Sequence, residues 1–131
     1  MSIGKSASGV GKVKGLGSAR EGGEDWLRER LTSLALLLLG AWFLLSLLFL
    51  PKLDQRTLVE WLRGTGGAVP MALFVIVAFW HSVDGLKQVT EDYIASDTAR
   101  WFVNTIVFFV AVAGAALCLF ALGKIIFGAA A

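Results

Sequence analysis

The stretch Trp80–Tyr93, WHSVDGLKQVTEDY, gathers the groups in this chain best suited to chemistry. It holds the only histidine, His81, and the only tyrosine, Tyr93, together with three carboxylates and one lysine. It follows directly on an apolar run, VPMALFVIVAF. A neutral imidazole nitrogen is a good axial ligand for haem iron. A phenol hydroxyl can donate a hydrogen bond to a quinone carbonyl, and a nearby carboxylate can tune or relay the proton. Asp92 stands immediately before Tyr93.

Helical spacing puts several of these residues on one face. An α-helix advances about 100° and 1.5 Å per residue, so Gly85 lies about 40° from His81 and Gln88 about 20° to the other side. Asp92 returns to within about 20° of His81, while Tyr93 falls on an adjacent side, about 18 Å along the axis. A glycine one turn beyond the histidine removes a side chain where a flat macrocycle must come close. Each residue also has a plainer reading. His81 could bond to a neighbouring helix, Tyr93 could sit in an interfacial aromatic belt, and Asp92 could be a solvated cap. Spacing alone leaves both sets of readings open. Asp84 and Lys87, at i and i+3, are expected to pair at the interface end of the helix.

The elements that position these residues are membrane-length. The chain has 131 residues, enough for one domain, with 56% hydrophobic and 17% charged residues. A soluble domain carries roughly 45–50% apolar and about 25% charged residues. The apolar excess is concentrated in three runs, predicting spans at about 31–50, 69–90 and 101–123. Leu31–Leu50 has no charge, and Pro51 and Lys52 close it. Pro70 is expected in the first turn of span two, where a helix tolerates it. Asn104 is the only strongly polar side chain in span three. Ala111, Gly114, Ala115 and Cys118 form a small-residue face that either admits a close helix or is ordinary apolar filling. Cys118, the single cysteine, reads as a small buried hydrophobe and excludes an intrachain disulfide.

The connecting segments read differently. Residues 1–30 are expected to form an N-terminal arm and the start of an interfacial helix near Glu24, leaving 31–131 as the membrane domain. The arm is basic through Lys5, Lys12, Lys14 and Arg20. It reads as a solvated tail, a strap across a partner subunit, or a contact with anionic membrane lipid. No hydrophobic leader stands before span one, so that span is expected to be retained. Leu53, Leu58, Val59 and Leu62 predict a short surface helix in the first connector. Ser96 or Asp97 is expected to cap the third span. The net charge of +2 is too small to suggest a nucleic-acid partner. Lysine and arginine asymmetry puts the N-terminus and the Asp92–Tyr93 turn on the cytoplasmic side, or the matrix side in a mitochondrion.

The pattern H-x3-G-x2-Q-V-x2-D-Y, filled by His81, Gly85, Gln88, Val89, Asp92 and Tyr93, resembles the small cytochrome b membrane anchor of succinate dehydrogenase. The segments GLGSAREG, Gly15–Gly22, and RLTSLAL, Arg30–Leu36, are similar to those around the start of span one in alphaproteobacterial anchors. The resemblance implies an all-α integral membrane protein, its three transmembrane helices packed with a partner anchor subunit in a bundle. It implies that His81 is one axial ligand of haem b, with Gly85 at the haem approach. The second axial ligand would come from the other cytochrome b anchor subunit. Tyr93 would bind ubiquinone, and Asp92 would support that site or its proton supply. The iron–sulfur and flavoprotein subunits would complete the complex, and the anchor itself would carry no succinate chemistry. The implied location is a bacterial or mitochondrial inner membrane. One position departs from the pattern: the family's arginine two residues after the histidine is Val83 here, so Lys87 or the partner chain would supply the base for a haem propionate. Two alternatives are the anchor of a quinol:fumarate reductase and a non-redox membrane scaffold in which His81 and Asp92 are interhelical polar groups.

Overall fold

The computed structural model describes residues 19–128, with side chains from Trp26 onward. All regular elements among these residues are helices: α1 (Ala19–Phe49), α2 (Gln55–Arg63), α3 (Thr65–Tyr93) and α4 (Asp97–Phe127). Three of them, α1, α3 and α4, are long and apolar enough to cross a membrane. The chain divides into two compact units, residues 1–31 and 32–131. The arm lysines Lys5, Lys12 and Lys14 lie outside the described residues.

The helices run beyond the apolar segments they contain. Hydropathy marks the thickness of hydrocarbon, whereas helical hydrogen bonding continues into the headgroup layer wherever good helix formers follow. α1 accordingly begins at Ala19, ahead of the expected start at Glu24. Each added residue in a growing helix gains a hydrogen bond for little further ordering, which carries it through Gly22 and Gly23. In the first unit, the Arg30 guanidinium lies 5.3 Å from the ring centre of Trp26, a cation–π contact.

In the second unit, α2 is the short helix expected in the first connector. Its N-cap is Asp54, whose carboxylate accepts from the Thr57 backbone N–H at 2.8 Å. Those contacts hold the Asp54 carboxyl below its usual range. Arg56 pairs with Glu60 one turn on at 3.0 Å, which raises the Arg56 pKa. Trp61 stacks on Trp42 of α1 at 5.5 Å. Leu53 lies ahead of α2 and is exposed, so only Leu58, Val59 and Leu62 form the helix's inner stripe.

α3 starts one residue after α2 ends, through Gly64. Gly67 is required there, because a Cβ would stand 2.3 Å from the Trp61 carbonyl oxygen. This early start moves Pro70 to the sixth residue of α3, beyond the first turn where it was expected. Its missing N–H then removes one bond, that to the Gly66 carbonyl.

α3 and α4 pack closely. Phe79 covers Gly114, where a Cβ would meet the ring at 2.6 Å. The small-residue face is therefore used within the chain at Gly114. Cys118, expected to be buried, is exposed, because it lies outside this contact. Arg63 closes the far end of α4, donating to the Ile125 carbonyl at 3.0 Å and the Gly128 carbonyl at 2.9 Å. Final-turn carbonyls have no helical partner, and a cation beside them is favoured. Among the described residues only Leu122 is a buried hydrophobe. The apolar surface of this chain is thus turned outward, to lipid or to other subunits.

Candidate functional site

α3 continues unbroken from Thr65 to Tyr93, so His81, Gly85, Gln88 and Asp92 do share one helix face. His81 is half-buried, and its Nδ1 lies 3.0 Å from the Thr32 hydroxyl of α1. Its Nε2 has no hydrogen-bond partner among the described residues and is not buried within the chain. Nothing lies within 4 Å of where a Gly85 Cβ would stand. The face beside His81 is therefore open one turn farther along.

His81 thus takes the interhelical bond of its plainer reading and still has a ring nitrogen to spare. The two readings describe different nitrogens. A histidine that ligates a metal ordinarily donates its other N–H to a fixed acceptor. One accessible imidazole nitrogen beside an open glycine fits one axial position of a haem. No group of three or more histidine, cysteine, aspartate or glutamate side chains among the described residues could hold a metal ion. His81 is the only histidine in the chain, so a second histidine ligand to the same iron would have to come from elsewhere.

Asp92 and Tyr93 close α3, and both are exposed; Tyr93 retains 84% of its accessible surface. What fixes them is Thr90, which sequence reasoning missed. Thr90 is only 8% exposed. Its hydroxyl lies 2.8 Å from the Lys87 carbonyl oxygen and 2.5 Å from Asn104 Oδ1 on α4. The one strongly polar side chain of span three thus finds its partner two residues before Asp92. Ile94 then caps α3 through its N–H to the Thr90 carbonyl at 3.0 Å. Ser96 caps α4, accepting from the Ala99 N–H, and Arg100 pairs with Asp97. The resulting turn is shorter than the gap between the expected spans at 69–90 and 101–123, since α3 and α4 both extend into it.

The expected Asp84–Lys87 pair does not form, and Lys87 makes no ion pair among the described residues. Lys87 is exposed, and a long ammonium side chain gains little from a pair in a solvated layer. Thr32 was the second residue missed. The available signal was the pair of hydroxyls, Thr32 and Ser33, at the start of an otherwise apolar span.

The family described as "Succinate dehydrogenase/Fumarate reductase transmembrane subunit" matches residues 6–121. The chain belongs to this family. It is 31% identical over 96 residues to the succinate dehydrogenase hydrophobic membrane anchor subunit of Rickettsia bellii, covering 73% of this chain and 74% of the relative. The corresponding subunits of Rickettsia conorii and Rickettsia typhi are each 30% identical over 100 residues, covering 76% of this chain and 77% of the relative. No solved structure gives a significant match. The sequence resemblance to succinate dehydrogenase anchors therefore stands, as does the all-α, multi-pass membrane architecture. A membrane anchor of this family works in a complex with the other subunits of the enzyme.

Proposed function

We propose that this chain helps to bind haem b and ubiquinone in a succinate dehydrogenase complex and so assists electron transfer from the iron–sulfur subunit to quinone. The observation that carries the reading is the unpartnered, accessible Nε2 of His81 beside the open face at Gly85. In this reading His81 would hold the haem iron through Nε2, and the second cytochrome b anchor subunit would supply the other protein ligand. The haem, when bound, supplies a one-electron redox centre within the anchor. The flavoprotein and iron–sulfur subunits dock on the side of the Asp92–Tyr93 turn, the cytoplasmic or matrix face of an inner membrane.

Reduction of a quinone to a quinol takes two electrons and two protons. Tyr93 donates a hydrogen bond from its hydroxyl to a quinone carbonyl oxygen, which favours charge build-up there. Asp92, the preceding residue, serves that site as the carboxylate that relays a proton towards the quinone. Both side chains are exposed on this chain alone, so the partner subunits must cover them and exclude water. The similar Rickettsia proteins are succinate dehydrogenase subunits, which favours this direction over quinol:fumarate reduction.

Two activities of the purified complex test the assignment. Tyr93→Phe should lower succinate:quinone reduction on the order of 100-fold, while succinate oxidation by a soluble dye stays near wild type. Equal losses in both assays would make the tyrosine structural. Asp92→Asn should lower turnover more than apparent quinone affinity; the reverse pattern would make Asp92 a pocket-shaping residue.

A further inference from the structure

We infer that Thr32 is a positioning residue for His81: its hydroxyl accepts the Nδ1 proton and so fixes the tautomer that leaves Nε2 free as a ligand. The inference rests on the haem reading above and adds a residue on a different helix, α1, to the control of that site. The contact is Thr32 Oγ1 to His81 Nδ1 at 3.0 Å, within normal hydrogen-bond range.

The direction of the bond follows from the two ends. A threonine hydroxyl inside a helix can spend its own proton on a backbone carbonyl one turn back, which leaves its lone pairs to accept. The other imidazole nitrogen, Nε2, has no partner among the described residues and lies at the surface of a membrane-spanning helix. An N–H left without an acceptor in hydrocarbon is costly. Placing the proton on Nδ1, where an oxygen receives it, avoids that cost. The lone pair is then on Nε2, where a metal can take it.

The bond also sets the electronics of the ligand. An imidazole that donates its second N–H is a more basic ligand, which favours the oxidised, more positive iron. It further limits rotation of the ring about its Cβ–Cγ bond, because the acceptor sits on another helix. Thr32→Val keeps the shape and removes the acceptor. Thr32→Ser keeps the acceptor and removes a methyl group.

The test is a redox titration of the b-type haem in the complex purified through this chain, for wild type, Thr32→Val, Thr32→Ser and His81→Ala. The midpoint potential should rise in Thr32→Val and stay near wild type in Thr32→Ser, with haem loss to an acceptor protein on the order of ten-fold faster in the valine variant. If the valine variant does not co-purify with its partners, Thr32→Ala is titrated in its place and should show the same rise. An unchanged potential in these variants, with a signal that still depends on His81, would overturn the role of Thr32 and leave the haem reading standing. A haem signal that His81→Ala leaves untouched would overturn both together.

Discussion

The two helix contacts made by α3 are built in opposite ways. Against α4 the backbones come close: Phe79 lies over Gly114, and Thr90 meets Asn104. Against α1, along Thr32–Phe49, the contacts are made by longer side chains: Phe43 and Phe74 have ring centres 6.0 Å apart, and Thr32 meets His81. A close contact between small residues uses up its own surface, because no room remains for another molecule. A contact bridged by long side chains leaves a spaced face beside it. The residue with an unused ligand nitrogen sits on the spaced side, and the residues that fix α3 in place sit on the close side. In a membrane, where apolar burial between helices gains little over lipid, such packing and hydrogen bonds carry the association.

Breaking the close contact should have the larger effect. Gly114→Leu forces a side chain into the Phe79 ring, and overpacking of this kind costs about 1–3 kcal/mol. The variant complex should lose thermal stability and retain less of this subunit on detergent exchange. Phe79→Ala in the same chain should recover part of the loss. Recovery would be absent if Gly114 were ordinary filling.

Thr90→Val is a smaller break in the same contact. Interhelical hydrogen bonds in membranes contribute about 1 kcal/mol. The Asn104 amide would lose its partner two residues before Asp92. Quinone reduction should therefore weaken together with stability, and a double variant with Asn104→Leu should regain stability but not full activity. Thermal melts and quinone assays on the three variants separate these effects.

The smallest effect lies on neither contact, at α2. The folded-state pKa of Asp54 is depressed, chiefly by bonds from Thr57. Its cap is therefore fully formed above the unfolded value of 3.8 and is lost as the pH falls through the lower folded value. Hydrogen exchange at Thr57 should quicken over that acid window in the wild type. Asp54→Ala should show fast exchange at Thr57 at all pH values. An acid step that persists in the variant would assign it to another group.

Much of this arrangement was legible in the residues. Charge-free runs of bilayer length announce spanning helices, because the membrane penalises every exposed backbone group and charge alike. The shared face of His81, Gly85 and Asp92 followed from helical periodicity once α3 was taken as continuous. What was not legible depended on contacts between distant segments. Thr32 and His81 are 49 residues apart, and Thr90 and Asn104 are 14 apart. A threonine in a helix gives no sign of whether its hydroxyl serves its own backbone or a neighbour. Arg63 likewise gives no sign in the sequence of its partner, 62 residues away, yet it caps α4. The short turn after Tyr93 was overestimated because hydropathy marks where hydrocarbon ends, not where the helix does.

The proposed redox site depends on His81 binding haem iron through Nε2. The decisive experiment is a dithionite-reduced minus oxidised visible spectrum of the complex purified through this chain, with and without His81→Ala. A sharp b-type band is expected in the wild type, lost or shifted in the variant. A wild-type complex with no such band, or a band unchanged by His81→Ala, would refute the ligation.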